Sequence, residues 1–208
     1  MGGAAGHMAH PFDLSWVSTG SDLLDFFDRA RTFVEKKGAA SVKIDGVNVS
    51  FKVVGDDETK QFAVDRGSLK PIDIQGITMD RVDQRFPEGH GMRPAIKTLL
   101  AILNAAIGDI KPELEALGMW DDPSRFLNTE YVAGQTNVTQ YDENFLAIHG
   151  LNQFYHKVHS RTGQERPGLS RPEGEKAASV EVPYEPAVMA KLVGKLTPYA
   201  EERGFQVY

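Results

Sequence analysis

The chain has 208 residues, a length that suits one sizeable domain, and its 41% hydrophobic and 25% charged content leaves no case for wholesale disorder. Lys+Arg 23 against Asp+Glu 29 gives a net charge of −6, so the molecule as a whole lacks the basic footprint of a non-specific nucleic-acid binder, although a local basic groove stays open. The absence of cysteine excludes disulfides, thiolate nucleophiles and cysteine-held metal clusters, and it fits a reducing compartment such as the cytoplasm.

No apolar run approaches the roughly 18 residues that a membrane helix needs, and no charged region followed by an apolar stretch opens the chain, so neither membrane contact nor secretion is expected. Residues 1–8 read as an expression remnant ahead of a single domain over 9–208. Ser21 is the expected N-cap of a first helix, whose 3.6-residue stripe of Leu23, Leu24, Phe26, Phe27, Ala30, Phe33 and Val34 ends at Lys36-Lys37-Gly38. From Ser41 to Val54 β-branched residues alternate, and Gly55-Asp56-Asp57-Glu58 predicts a hairpin turn into a second strand over Gln61–Asp65.

Leu69 to Gly91 is rich in Pro, Asp and Gly and reads as an ordered surface excursion with short strand pieces. Ile96, Leu99, Leu100, Ile102, Leu103 and Ile107 predict a strong helix over 93–107 closed by Gly108, followed by a short one from Pro112 to Leu117. Strands are expected over Phe126–Ala133, Asn144–His149 and Leu151–Val158. Arg161 to Lys176 reads as an exposed, mobile loop, Pro186–Arg203 as a helix despite Pro198, and Phe205–Tyr208 as the start of a strand. This order argues for an α+β fold with antiparallel sheets and packed helices.

The chemistry concentrates in Val42-Lys43-Ile44-Asp45-Gly46-Val47-Asn48-Val49-Ser50-Phe51-Lys52. In a regular strand Lys43 and Asp45 would share a face with Val47, Val49 and Phe51, mixing charge with core. A turn or bulge at Asp45-Gly46, where glycine accepts positive φ, would aim both side chains into a cleft. A lysine held there can act as a nucleophile once its ordinary pKa of about 10.4 is lowered by burial, a neighbouring cation or a metal.

Lys43-Ile44-Asp45-Gly46, followed by Asn48, Ser50 and Phe51, resembles the nucleotidyltransferase signature of ATP-dependent polynucleotide ligases and capping enzymes, most of all the phage-type RNA ligases that seal nicked duplex RNA. The resemblance implies a ligase adenylation domain in which Lys43 attacks the nucleotide's α-phosphate and keeps AMP as a phosphoramide. Phe62–Pro71 resembles the second motif, implying that Arg66 contacts nucleotide or the RNA end. Phe126–Gly134 resembles the third, implying that Glu130 binds ribose or a metal, and Asn144–His149 resembles the next, implying that Phe145 stacks on the base. Asp45 and Glu130 would orient Mg²⁺ or ribose, and Asn48 would join Arg66 on nucleotide phosphate or the RNA end. Gly46 completes the nucleotide-binding set.

The departures are equally specific. Val42 stands where many RNA ligases carry a glutamate that reads adenine, and His149 where the family often has aspartate. A metal-binding Glu-Gly strand and a phosphate-neutralising Lys-x-Lys strand are missing, because Glu173-Gly174-Glu175-Lys176 lies in a polar loop and Lys191 and Lys195 are spaced for a helix. The resemblance therefore implies a partial nucleotidyltransferase domain that stops before its last two motifs, with an exposed sheet edge that favours self-association. The expected activity is ATP- and Mg²⁺-dependent formation of lysyl-AMP for RNA or DNA end joining. The alternatives are a non-catalytic nucleotide-binding or structural module derived from that fold, and a GTP-dependent capping-type guanylyltransferase. His149, His156 and His159 cluster in sequence without the spacing that would single out a metal site.

Overall fold

The computed structural model describes residues 14–36, 44, 46–65, 70–134 and 140–208. The chain divides between residues 44 and 45 into two compact units. The first carries helix α1 (Gly20–Val34), which starts two residues earlier than Ser21 would place it. Its N-cap is Thr19, whose hydroxyl accepts from the Asp22 N–H while the Asp22 carboxylate accepts from the Thr19 N–H at 2.8 Å. That reciprocal capping box needs an acid three residues after the cap, which Thr19 has and Ser21 lacks. Hydrogen bonds from the Thr19 hydroxyl and the Ser18 and Thr19 amides hold the Asp22 carboxyl below the usual carboxylate range.

The second unit is a mixed α+β body. Strands β1 (Val47–Val54) and β2 (Gln61–Asp65) form the expected antiparallel hairpin. Helices α2 (Pro71–Gln75), α3 (Val82–Arg85), α4 (Met92–Ala106) and α5 (Lys111–Ala116) follow, with a single 3₁₀ turn at Met79–Arg81. Strands β3 (Arg125–Val132), β4 (Phe145–Phe154), β5 (Lys157–Val158), β6 (Glu165–Arg166) and β7 (Ser179–Glu181) lead to helix α6 (Pro186–Glu201) and strand β8 (Gln206–Val207). The main sheet runs β2-β1-β3-β4-β7, with β8 added to β4, and β5-β6 form a separate ribbon. Among the described strands all pairings are antiparallel except β4 with β8, and an isolated parallel bridge joins Tyr155 to Leu169. No helix among the described residues is long and apolar enough to cross a membrane.

Three local expectations are corrected. Residues 70–91 are short helical pieces rather than a strand-bearing surface excursion, and Ile74, Ile77, Val82 and Phe86 are buried. The backbone of Ile77 pairs with that of Val64, which pulls the segment against β2. The two strands expected over 144–158 are mainly one ten-residue strand, because β4 passes through Gly150 with a bulge instead of a turn. The stretch from 161 to 176 is exposed over most of its length yet contains Arg166, with 0% of its surface exposed.

The core follows from two periodicities meeting. Val49, Phe51 and Val53 of β1 and Phe62 and Val64 of β2 alternate onto one face of the sheet. Ile96, Leu99, Leu100 and Leu103 form the matching stripe of α4, and Leu192, Leu196 and Ala200 that of α6. Lys195 ties α6 to α5 by donating to the Glu113 carboxylate at 2.8 Å and to the Asp109 carbonyl at 2.9 Å. Leu99 sits where this layer meets the sheet with no exposed surface. Leu99→Ala is expected to lower stability in urea titrations by about 2–5 kcal/mol with little change in the slope of the transition.

Candidate functional site

The strand positions that face away from the helices carry the polar residues. On β1 these are Asn48, Ser50 and Lys52, and on β3 they are Asn128 and Glu130, with the apolar Phe126 on the same face, while Leu127 and Tyr131 join or pack on the core. Thr129 also points coreward, where its hydroxyl donates to the Val49 carbonyl at 2.7 Å. The register sets Asn48 opposite Glu130, Ser50 opposite Asn128 and, on the other flank, Ser50 opposite Asp65. One sheet face thus gathers amides and charges in a row, with α4 and α6 on the other.

Of the sequence-predicted residues, Gly46, Asn48 and Glu130 meet directly. The Gly46 N–H donates to Glu130 Oε1 at 2.9 Å, and Asn48 Nδ2 donates to Asn128 Oδ1 at 2.9 Å and to the Thr129 carbonyl at 3.2 Å. A side chain at 46 would bring its Cβ to 2.6 Å from the Tyr131 carbonyl oxygen, so close backbone approach to β3 is what demands glycine here. Phe145, opposite Val132, lies one pair further along the same face. It is 7% exposed, with the rings of Tyr141 and Tyr208 edge-on at 5.3 and 5.7 Å. Lys43, Asp45 and Arg66 lie outside the described residues. Their chain neighbours Gly46 and Asp65 close the ends of β1 and β2 on this same part of the sheet.

The register of β3 against β4 shifts between Asn128 and Thr129, leaving His149 as the extra residue between Ile148 and Gly150. The bulge brings His149 Nε2 to 3.5 Å from Glu130 Oε2, so the glutamate has one oxygen on backbone and the other beside an imidazole. His156 instead faces Glu165 at 3.3 Å, and His159 Nδ1 accepts from the Thr162 N–H at 3.1 Å. The three histidines serve separate partners, and among the described residues no three metal-ligating side chains converge.

Two charged residues were missing from the sequence reading of the site. Lys52 is 2% exposed, and its ammonium donates to Asp65 Oδ2 at 3.1 Å and to the Ile74 carbonyl at 3.2 Å. Burial pushes the Lys52 pKa down from its ordinary value, against the pull of the Asp65 carboxylate. Arg166 lies on the other side of that carboxylate, with Nη1 3.7 Å from Asp65 Oδ1 and its guanidinium carbon 3.8 Å from the centre of the Phe154 ring. Phe154 in turn stacks on Phe126 at 4.2 Å. Lys52 was legible in principle as a cation inside an apolar run; Arg166 sits in a Gly-, Pro- and Glu-rich stretch that carries no burial signal.

No protein family matches the chain, and neither a curated protein nor a solved structure matches it. The case for function therefore rests on the polar sheet face and the motif residues themselves.

The buried charges make two measurable demands. Asp65→Asn leaves Lys52 and Arg166 uncompensated in a dry site and is expected to cost about 3–5 kcal/mol in chemical denaturation. Because burial lowers the folded-state pKa of Lys52, the unfolded chain keeps that proton at pH values where the folded chain has released it. The contribution of Lys52 to stability therefore rises with pH between the lowered value and the ordinary 10.5. The stability difference between the parent and Lys52→Met, followed into the alkaline range, should show that rise.

Proposed function

We propose that the protein is an adenylyltransferase of the RNA-ligase type. The amine of Lys43 attacks the α-phosphorus of ATP, an N–P bond forms, and the bond to the β-phosphate oxygen breaks to release pyrophosphate. AMP then passes to a polynucleotide 5′-phosphate, and a 3′-hydroxyl displaces it to seal the strand. The supporting observation is the register of β1 on β3, in which Glu130 accepts the N–H of Gly46, three residues after the lysine, and lies opposite Asn48.

This pairing suits the chemistry. A carboxylate bonded to the Gly46 amide fixes the start of β1 against β3, and catalysis by this route depends on positioning. Glu130 keeps its second oxygen, beside His149, for a ribose hydroxyl or Mg²⁺, with Asp45 as the other carboxylate of the motif. Mg²⁺ would neutralise charge building up on the triphosphate. Asn48 supplies an amide on the same face. Arg66, next in the chain after Asp65, would contact a phosphate, and Phe145, one strand pair beyond Glu130, would contact the base.

Incubation with ATP and Mg²⁺ should raise the mass of the chain by one AMP, with the label on Lys43 and no increase in Lys43→Ala. Glu130→Gln is expected to slow the labelling about 10²–10³-fold. A GMP adduct formed from GTP instead would identify a capping-type enzyme, and no adduct from either nucleotide would mark a binding module.

A further inference from the structure

The ribbon β5-β6 places two cations directly opposite each other, Lys157 and Arg166. Like charges in facing strand positions destabilise a ribbon unless an anion offsets them. The chain after β6 folds back tightly: Leu169 and Phe154 share a backbone hydrogen bond, and a Cβ on Gly168 would lie 2.2 Å from the Phe154 carbonyl oxygen. This return brings Arg171 over the ring of Tyr155 at 5.6 Å. Lys52, Lys157 and Arg166 thus gather around one carboxylate, Asp65, and Arg171 adds a fourth cation beside Lys157 and Arg166. Mutual repulsion, second to desolvation, pushes the Lys157 pKa down. Among the described residues, Lys157 and Arg171 have no ion-pair partner.

The guanidinium of Arg166 adds the decisive detail. Among the described residues none of Nε, Nη1 and Nη2 has a hydrogen-bond partner, although the residue is wholly buried. Five N–H groups held without an acceptor in a dry site are costly unless an acceptor binds there. Glu165, the neighbouring acid, is engaged with His156.

We propose that Lys157, Arg166 and Arg171 form a phosphate-binding subsite at the edge of the polar sheet face, with Arg166 as its floor. The guanidinium fork matches two phosphate oxygens, and the two outer cations are solvent-accessible and draw the anion in. The ribbon is only two residues long on each side, so it yields at little cost to admit a phosphate to the floor. Asp65, which Arg166 faces, is opposite Ser50, two residues along β1 from the Asn48–Glu130 pair and two strands across from Glu130, which puts the two carboxylate-bearing positions about 12 Å apart on one face. That spacing fits one ligand reaching from Glu130 to the subsite. In the adenylyltransferase reading, on which this assignment of a source rests, the phosphate belongs either to the nucleotide's polyphosphate or to the 5′ end of the polynucleotide.

The test is calorimetric titration of the full chain with inorganic pyrophosphate and with 5′-phosphorylated and 5′-hydroxyl oligoribonucleotides. Lys157→Ala and Arg171→Ala change accessible side chains and relieve like-charge repulsion, so neither should lower the melting temperature, while each weakens phosphate binding about tenfold. Arg166→Lys should retain part of the affinity and Arg166→Met none. Pyrophosphate binding lost in these variants assigns the subsite to the nucleotide; loss confined to the 5′-phosphorylated oligonucleotide assigns it to the polynucleotide end. Unchanged affinity for all probes in Lys157→Ala and Arg171→Ala overturns the subsite, as does equal binding of the 5′-phosphorylated and 5′-hydroxyl oligonucleotides together with no affinity for pyrophosphate. The AMP adduct is scored separately. Phosphate binding without an adduct keeps the subsite and removes the adenylyltransferase reading, and an adduct with unaffected binding does the reverse.

Discussion

The pairing of β1 with β3 in a register that sets Asn48 opposite Glu130 governs both sides of the body. Side chains alternate across a strand, so a slip of one residue would send Val49, Phe51 and Val53 to the polar face and Asn48, Ser50 and Lys52 into the layer against α4 and α6. The apolar helix stripes therefore fix the polar face indirectly, because only one register buries both. The Thr129 hydroxyl on the Val49 carbonyl and the Gly46 amide on Glu130 bind the same two strands from opposite faces.

On the polar face, burial does not stop where charge begins. Lys52, Asp65 and Arg166 are as inaccessible as the core phenylalanines. Placing two cations and one carboxylate in a dry site is unfavourable unless each is matched, and here Lys52 is matched by Asp65 and the Ile74 carbonyl. Arg166 keeps an ion pair at 3.7 Å and an aromatic face, but no hydrogen bond. A stability-only design would replace such a group with an apolar side chain.

What was legible in the sequence was whatever repeats. The stripe of α4 and the alternation of β1 and β2 are periodic over enough residues to fix element type and facing. Segment 70–91 was misread because Ile74, Ile77, Val82 and Phe86 enter the core singly from short helical pieces, too far apart to form a period. Gly150 looked like a strand end because a bulge uses the residue types of a turn. Arg166 was invisible for a different reason: it packs on the ring of Phe154 and faces Asp65, contacts that its own Gly- and Pro-rich stretch does not announce. Of the candidate site, the neighbourhood of Gly46, Asn48 and Glu130 followed from motif order, whereas the contact of Glu130 with His149 depends on a bulge that no spacing discloses.

The acidic balance of the chain and a phosphate-rich ligand are compatible once distance is considered. A net charge of −6 spread over the molecule acts on an approaching polyanion through solvent, where a Debye length of about 8 Å at physiological salt screens most of it. At the sheet face the relevant charges are few and close, and around Asp65 cations outnumber the carboxylate. In a partly dry site these interactions escape that screening, so local sign outweighs global sign in deciding what binds. Composition averages over the whole molecule, in which the cations around Arg166 are a small, concentrated minority.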